Sequence, residues 1–425
     1  MSKKLALAWL AAGLCAAQTP APGTGPEERL AHWREDLNMV VSTLSAKGST
    51  VDLQRGISTR GQKDFERLYP NLKTDLDALA ERVPSLSDSE VVLGLMKAIA
   101  SARIAHNTVS MPIAMGFFGR LPLRFSWFAD GLAIVEASHE YASALGTRVV
   151  KFGDKTTAEA VAGLAPYIAH ENDVWLRAQS VEFLRPRAML QHLGVLNDAQ
   201  VTLTLEKPGG EQFTLAVRPV DPRTKMVSVA DALHLPTPLF RTQPAASYWH
   251  QYLEDSGTLF VQYNRCWNDP KMPFPDFAAK VLTDADARPV KRVVIDLRWN
   301  GGGDSRVIGP LVGGLASRAK KAGAVYALIG AGTFSSAILN AQELRQKLHA
   351  RLVGEPTGGM PSSYGEVKSV TLPHSQLRVQ YTTKWFGSKK ASEPQSLTPD
   401  IPAPRTLADA LAGRDPVLEA AIRAK

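Results

Sequence analysis

Short apolar runs alternate with longer segments in the second half of the chain, and this alternation constrains the fold more than any other feature. The runs at 259–263, 293–298, 325–329 and 351–353 read as strands, and the later ones are separated by segments long enough for a crossover helix. Parallel strands need such long connections, whereas antiparallel strands do not. The sequence therefore predicts an α/β core with a parallel sheet over residues 227–425. Within this core, the segments 369–372 and 377–385 predict a hairpin, and a final helix is expected from about Thr406 to the end.

Two smaller regions precede this core. Over residues 28–112 apolar residues recur at helical spacing, and Ser87 with Glu90 forms a capping-box sequence that predicts a helix from this point to about Ala102. Residues 118–222 contain short apolar runs separated by glycine turns, with one helical segment, which is typical of a small β domain. The fold class is therefore α/β with several domains.

The N-terminus has the pattern of a secretory signal peptide. Two lysines precede an apolar stretch that ends at Ala17, and this stretch is too short to span a bilayer, which takes roughly 20 apolar residues. We expect cleavage after Ala17, a linker over residues 18–27, and no transmembrane span afterwards. A lipoprotein anchored at Cys15 is the less favoured alternative, because Leu14 stands where a small residue is expected.

Composition narrows the classes of function. The 425-residue chain has a formal net charge of +8, but its basic residues are scattered and no basic run is interleaved with aromatic residues, which argues against nucleic-acid binding. Signal cleavage would leave Cys266 as the single cysteine, so no intramolecular disulfide is expected. The nine histidines show no HxxxH or HExxH spacing, so neither a metal nor another cofactor is predicted.

A serine stands where the strand at 325–329 turns into a helix. Ser335 follows Gly330-Ala331-Gly332-Thr333-Phe334, and free backbone N–H groups at a helix N-terminus can receive a developing oxyanion. Ser335 could be a nucleophile on a sharp turn, or simply the N-cap of the helix.

Three glycines follow the strand at 293–298. Glycine allows a close approach of the backbone, and ligands bind at the C-terminal ends of strands in open α/β sheets. The N–H of Gly301 or Gly302 could be one oxyanion donor, and that of Ser336 the other. A tight turn is an alternative; a phosphate-binding loop is a weaker one, because GxxxxGK[ST] is absent.

These segments resemble a known family. VVIDLRWNGGGDS, TFSSA and VGEPTGG, in this order, are similar to the core of S41 serine peptidases, which include tail-specific and tricorn-core-like proteases, and SARIAHNT resembles the family's DGHT segment. The resemblance spans residues 28–425. It implies a C-terminal protease core of the S41 (ClpP/crotonase-like) type and identifies residues 118–222 as a PDZ-like domain.

The resemblance also assigns site residues. The position of the lysine in the family's Ser–Lys dyad is Met360 here, whereas the Ser–His–Glu design maps onto Ser335, His106 and Glu393, the last lying seven residues before Asp400. The Asp-Gly that normally precedes the histidine is replaced by Ile-Ala, which puts its placement in question. Tyr263 and Asn264 resemble a strand end of the family core, and we expect them to bind substrate.

The sequence thus predicts an exported serine peptidase, periplasmic or extracellular, that hydrolyses peptide bonds through a Ser–His–Glu site with a glycine-loop oxyanion hole. Its partner would be a polypeptide substrate, whose C-terminal segment the PDZ-like domain would hold as an added strand. Two alternatives stay open at this point: a non-catalytic ligand-binding protein on the same fold, and a serine esterase. The oligomeric state is not predicted.

Overall fold

The computed structural model describes seven stretches of the chain. These are residues 25–44, 67–110, 119–197, 199–220, 224–318, 323–387 and 395–424. The predicted signal peptide at 1–17, most of the predicted linker, and Glu393 lie outside the described residues. No helix among the described residues is both long and apolar enough to cross a membrane.

The N-terminal region is helical, as predicted. Its helices are α1 (Pro26–Leu44), α2 (Leu72–Arg82) and α3 (Asp88–Ala100). The capping box at the start of α3 is confirmed, because the Ser87 side chain accepts from the Glu90 N–H while the Glu90 side chain accepts from the Ser87 N–H. The helix ends two residues before the predicted position, and the chain then turns toward the candidate site.

The second region contains an eight-stranded sheet with a central order β2-β3-β4-β7-β6. Its strands are β2 (Leu123–Phe128), β3 (Gly131–Ser138), β4 (Arg148–Phe152), β5 (Lys155–Thr156), β6 (Leu196–Asn197), β7 (Gln200–Glu206), β8 (Gln212–Val217) and β9 (Met226–Ser228). The helices that accompany the sheet are α4 (Thr157–Leu164), α5 (Asp173–Phe183), α6 (Arg187–His192) and α7 (Val229–Ala232). Its assignment as a PDZ-like domain and the domain boundaries stay predictions.

The third region contains the predicted parallel sheet, with six strands in the order β10-β11-β12-β13-β14-β17. They are β10 (Tyr248–Leu253), β11 (Thr258–Tyr263), β12 (Arg292–Asp296), β13 (Ala324–Ile329), β14 (Arg351–Gly354) and β17 (Ile401–Pro402). Only β10 is antiparallel to its neighbour in this sheet. The C-terminal ends of β12 and β13 are adjacent, so the glycine loop and the Ser335 turn emerge at the same edge.

Helices cover both faces of this sheet. They are α8 (Phe274–Ala287), α9 (Gly309–Ala316) and α10 (Ser336–Leu348) on one face, and α12 (Pro416–Arg423) on the other. Val293 and Ile295 pack toward α8–α10, while Val294 packs toward α12, which is the two-residue alternation of a strand buried on both sides.

The C-terminal end differs from the prediction. A single helix from about Thr406 was expected, but two helices form, α11 (Leu407–Leu411) and α12. Gly413 between them has a φ of 66°, a left-handed conformation that ends α11 and that glycine adopts without strain. Asp415 then caps α12 by accepting from the Leu418 N–H.

A three-stranded sheet joins the two ends of the chain. Its strands, in the order β1-β16-β15, are β1 (Thr108–Val109), β16 (Arg378–Phe386) and β15 (Ser363–Thr371). The predicted hairpin is confirmed as β15–β16, and its apolar residues share one buried cluster with the N-terminal helices and the eight-stranded sheet. The predicted multi-domain α/β architecture is therefore confirmed.

Candidate active site

The backbone at Ser335 adopts an unusual conformation. Ser335 is the N-cap of α10 with φ 53° and ψ −128°, and a residue with a side chain pays about 1–3 kcal/mol for such a conformation. Thr333, fully buried, fixes the turn because its hydroxyl donates to the Leu297 carbonyl and accepts from the Gly330 N–H. The Phe334 N–H donates to the Asn300 carbonyl at 3.0 Å. The loop after β12 thus fixes the serine turn through the Leu297 and Asn300 carbonyls.

The glycine loop packs directly against this turn. Gly302 has a φ of 104°, and a Cβ added to it would lie 2.6 Å from the Ser335 Cβ and 2.9 Å from the Ser336 nitrogen. A Cβ on Gly303 would lie 2.2 Å from the Cys266 carbonyl oxygen. Both positions therefore require glycine, and the backbone of the loop approaches Ser335 as closely as the sequence pattern suggested.

Asn300 organises the loop, and sequence reasoning did not single it out. Its fully buried side chain donates through Nδ2 to the Tyr263 carbonyl at 2.8 Å, while Oδ1 accepts from the Gly302 N–H at 2.9 Å and from the Cys266 thiol. The only signal in the sequence was an asparagine directly before three glycines.

The predicted oxyanion donors are not equivalent. The Gly302 N–H is already bonded to Asn300, whereas Gly301 is exposed and lines the cavity described below. Ser336 is the first residue of α10, so its N–H has no carbonyl one turn before it. Its side chain is engaged elsewhere and donates to the Gly303 carbonyl at 2.6 Å. Gly301 and Ser336 are thus the better placed of the three predicted residues.

His106 lies on the turn between α3 and β1 and is 9% exposed. Its ring packs on Phe334, with 4.5 Å between ring centroids, and Phe334 stacks in turn on Trp175 at 3.9 Å. Burial lowers the pKa of His106 from 6.5 to about 4, so the ring is neutral at physiological pH. The Tyr364 backbone partly offsets this shift, yet neither ring nitrogen forms a hydrogen bond of good geometry with a described residue.

A second ionisable group, the largely buried Glu171, lies beside the same turn. Its Oε1 accepts from the Ala105 N–H at 3.4 Å, and its buried Oε2 has no partner among the described residues. Burial raises the pKa of this carboxyl from 4.5 to about 7, and the bond to Ala105 offsets part of the shift. No sequence pattern pointed to Glu171, because it lies far along the chain from His106.

One cavity of about 1090 Å³ brings the predicted residues together. Ser335, Ser336, Gly301 and His106 all line it, although they belong to three distant segments of the chain. The remaining walls come from α3, from α5 with the segment before it, and from the β15–β16 hairpin, including Met96, Ile168, Trp175, Phe183, Val367 and Phe386. The site is therefore a large and partly apolar cleft with the strained serine on its wall.

Two predicted substrate-binding residues are corrected by the structure. Tyr263 is 1% exposed, and its ring packs against Tyr248 and Phe274 in the core. Asn264 donates from Nδ2 to the Ala246 carbonyl at 2.9 Å and accepts from the Gln262 side chain, so it holds a turn. Neither residue lines the cavity. At this strand end the Tyr263 side chain points toward α8 and not toward the cleft.

Among the described residues, no group of three or more histidine, cysteine, aspartate or glutamate side chains is arranged to hold a metal ion. The structure does not describe Glu393, so its predicted role is not placed relative to His106. The nearest described anchors are Gln395 and Ser396, which accept hydrogen bonds from the Asn172 side chain at the start of α5.

Solved structures of mature CPAF share this fold. Mature CPAF complexed with lactacystin aligns with a TM-score of 0.62 at 14% identity, over 93% of this chain and 98% of that chain. Another crystal structure of mature CPAF gives a TM-score of 0.58 at 14% identity, over 90% and 94% of the two chains. The photosystem II D1 C-terminal processing protease aligns over 94% and 97% at 12% identity, with a TM-score of 0.38. No family model and no curated protein matches the chain.

Proposed function

We propose that the protein is an exported serine peptidase of the S41 type that cleaves polypeptides with Ser335 as the nucleophile. The observation that carries this proposal is the strained backbone of Ser335 at a strand–helix junction, packed against Gly302 and open to the same cavity as His106. Nucleophilic serines of other hydrolases occupy such strained turns, because the turn exposes the hydroxyl beside free N–H groups. The motif order in the sequence and the fold shared with CPAF support the same conclusion.

The residues of the cleft, together with Glu393, would carry out acyl transfer. The Ser335 hydroxyl would attack the peptide carbonyl carbon while His106, neutral at physiological pH, takes its proton and later returns it to the leaving amine. The N–H groups of Gly301 and Ser336 would receive the oxyanion. Glu393 would stabilise the imidazolium, as the resemblance implies. Hydrolysis of the acyl-enzyme by water would complete the cycle.

The remaining parts of the proposal rest on the sequence. Residues 1–17 would direct export, with the mature protein periplasmic or extracellular. The β domain at 118–222 would act as a PDZ-like domain and bind an extended segment of the substrate by strand addition. The size of the cleft, about 1090 Å³, suits a polypeptide segment with several side chains in contact.

One observation favours a second candidate, a ligand-binding protein that leaves the serine idle. The His106 ring packs at a tilt on Phe334, and neither ring nitrogen has a hydrogen bond of good geometry to a described residue, so no Ser–His hydrogen bond is formed in this structure. Such bonds are often long or absent until substrate binds, so their absence does not by itself exclude a peptidase.

Labelling of the purified mature protein with a fluorophosphonate probe separates the two candidates. We expect wild type to label between about pH 6 and pH 9, Ser335→Ala to lose labelling, and His106→Ala to label about 100-fold more slowly, which is the ordinary contribution of a general base. Ser336→Ala should retain most of the labelling, since this residue contributes its backbone. Ser317→Ala, an exposed serine that does not line the cleft, is the matched control.

The outcomes have distinct meanings. Loss of labelling in Ser336→Ala, with Ser335→Ala still reactive, would move the nucleophile by one position. Absence of labelling in folded wild type would favour the binding protein. If labelling depends on Ser335, turnover of casein or peptides supports a peptidase, whereas turnover of small esters alone supports an esterase.

A further inference from the structure

His106 has no strong hydrogen-bonded anchor of its own. Both ring nitrogens are buried, the polar contact of the ring is a weak one to the Tyr364 backbone, and the ring packs at a tilt on Phe334. The position of the ring in the cleft therefore depends on the backbone turn that carries it. The Asp-Gly expected before the histidine is replaced here by Ile104 and Ala105, so another group has to hold this turn.

The side chain of the next residue, Asn107, forms three hydrogen bonds. Its side chain is 3% exposed and donates from Nδ2 to the Tyr69 hydroxyl at 2.9 Å. Its Oδ1 accepts from the Thr382 N–H at 2.9 Å and from the Thr382 hydroxyl at 3.0 Å. Because a backbone N–H can only donate, the amide cannot be rotated by half a turn without losing this pattern. Both lone-pair sites of Oδ1 are thus used.

The partners of Asn107 belong to two separate parts of the fold. Tyr69 is 5% exposed in the N-terminal cluster, and its hydroxyl also bonds to the Ile99 carbonyl near the end of α3. Thr382 lies in β16, and two other residues of this strand, Gln380 and Lys384, line the cavity. The side chain of Asn107 therefore ties the histidine turn to α3 on one side and to the hairpin wall of the cleft on the other.

We propose that Asn107 is the positioning residue of His106, fixing the turn that carries the base through its hydrogen bonds to Tyr69 and Thr382. This inference rests on the proposed function, in which His106 is the base. The backbone contact from Ala105 to Glu171, at 3.4 Å, is the weaker tie on the other side of the histidine. Asn107 does not touch the reacting atoms and acts through the residue before it.

The direct test measures His106 itself. In protein labelled with ¹⁵N-histidine, the ring signals of His106, assigned by their loss in His106→Gln, report its environment and its titration. In Asn107→Ala the ring should gain solvent and its pKa should move from about 4 toward 6.5. Tyr69→Phe should give a smaller shift in the same direction. Asn71→Ala, an exposed asparagine of the same helical region that makes no side-chain cap, is the matched control.

Reactivity provides the second readout. The rate of fluorophosphonate labelling should fall about 100-fold in Asn107→Ala, the effect of a base displaced by about 1 Å, and about tenfold in Tyr69→Phe, which loses one bond. With a peptide substrate the loss should appear in kcat more than in KM, because the displaced group is the base and the side chain of Asn107, although it borders the cleft, is only 3% exposed. A general loss of packing would instead change both parameters.

Each outcome decides the proposal. A His106 titration identical to wild type in Asn107→Ala overturns it, as does an unchanged labelling rate. If wild type itself is not labelled, the proposed function fails, while the titration still decides whether Asn107 positions the ring. If Asn107→Ala does not fold, Tyr69→Phe and Thr382→Val, each of which removes one hydroxyl, replace it in both measurements.

Discussion

At the scale of single residues, His106 and Glu171 are opposite cases of the same physical effect. Both side chains are largely buried without a charged partner, so each is stabilised in its neutral form. The pKa of the base falls to about 4 and that of the acid rises to about 7. His106 and the neighbouring Glu171 are therefore both neutral between about pH 4 and pH 7.

These shifts predict opposite dependences of stability on pH. At His106 the folded state binds fewer protons than the unfolded state between pH 4 and 6.5, so stability is lost as the pH falls through this window. At Glu171 the folded state binds more protons between pH 4.5 and 7, so stability is lost as the pH rises. Each effect amounts to about 3 kcal/mol over its window, at about 1.4 kcal/mol per pH unit.

Single substitutions should separate the two effects. In His106→Gln only the protonation of Glu171 still contributes, so the free energy of unfolding should fall as the pH rises from 4.5 to 7, relative to wild type. In Glu171→Gln only the protonation of His106 still contributes, so the free energy of unfolding should rise as the pH rises from 4 to 6.5. Urea denaturation at half-unit intervals of pH measures both, with His139→Gln, an exposed histidine, as the control. Parallel curves for all four proteins would contradict the assignment.

At the scale of elements, the junction between β13 and α10 places two serines side by side in different backbone conformations. Ser335 has φ 53°, which glycine adopts without strain, whereas Ser336 is helical. We expect Ser335→Gly to be more stable than Ser335→Ala by about 1 kcal/mol, because the strain is released. At Ser336 the order should reverse, with glycine about 1 kcal/mol less stable than alanine.

Comparing glycine with alanine at each position removes the contribution of the hydroxyl. Chemical denaturation of the four variants measures the two differences, which have opposite signs if the strain at Ser335 is real. Equal signs at both positions would mean that the turn relaxes to an ordinary N-cap in solution. In that case the observation that carries the proposed function would be lost.

The elements that could be predicted from the sequence are those encoded by residues close together along the chain. The capping box at Ser87, the strands around 293–298 and 325–329, and the turn at Ser335 are encoded by neighbouring residues, and all were predicted. The break in the C-terminal helix was missed, although Gly413 marks it. Local patterns give the period and the ends of an element, but they contain little about which face meets which partner.

Tyr263 shows this limit within the candidate site. Its position at the end of β11 was predicted correctly, but its side chain points toward α8 and away from the cleft. Asn107 and Glu171 were not predicted, because their roles come from contacts that are distant in sequence. Asn107 contacts Thr382, 275 residues away along the chain, and Glu171 contacts Ala105, 66 residues away. Such contacts are set by tertiary packing and leave no periodic trace in the sequence.

At the scale of the whole molecule, the cleft is built where three regions meet. The N-terminal helices supply one wall, α5 a second, and the six-stranded sheet carries the serine and the glycine loop. The β15–β16 hairpin closes the arrangement and packs through Leu372, Leu377 and Val379 into the cluster that also contains the N-terminal helices. The site therefore depends on contacts between the first and last hundred residues of the chain.

Asp36 in α1 binds the backbone at the tip of the hairpin. Its carboxylate is fully buried and accepts from the N–H groups of His374 and Ser375 at 3.0 and 2.8 Å. Asp36→Ala would leave both N–H groups without this partner, at a cost of about 3 kcal/mol. We expect faster hydrogen exchange in β15 and β16 while the six-stranded sheet stays protected, together with a higher KM, because the hairpin lines the cleft.

Glu35→Ala is the matched control for this prediction. Glu35 precedes Asp36 on the same helix and contacts the same hairpin through the His374 ring at 2.8 Å, but its side chain is 64% exposed, so its loss should cost less than about 1 kcal/mol. If Asp36→Ala raised exchange throughout the molecule, α1 would belong to one cooperative unit with the six-stranded sheet. Exchange confined to the hairpin would instead mean that the wall of the cleft can open while the strained serine and its glycine loop stay in place.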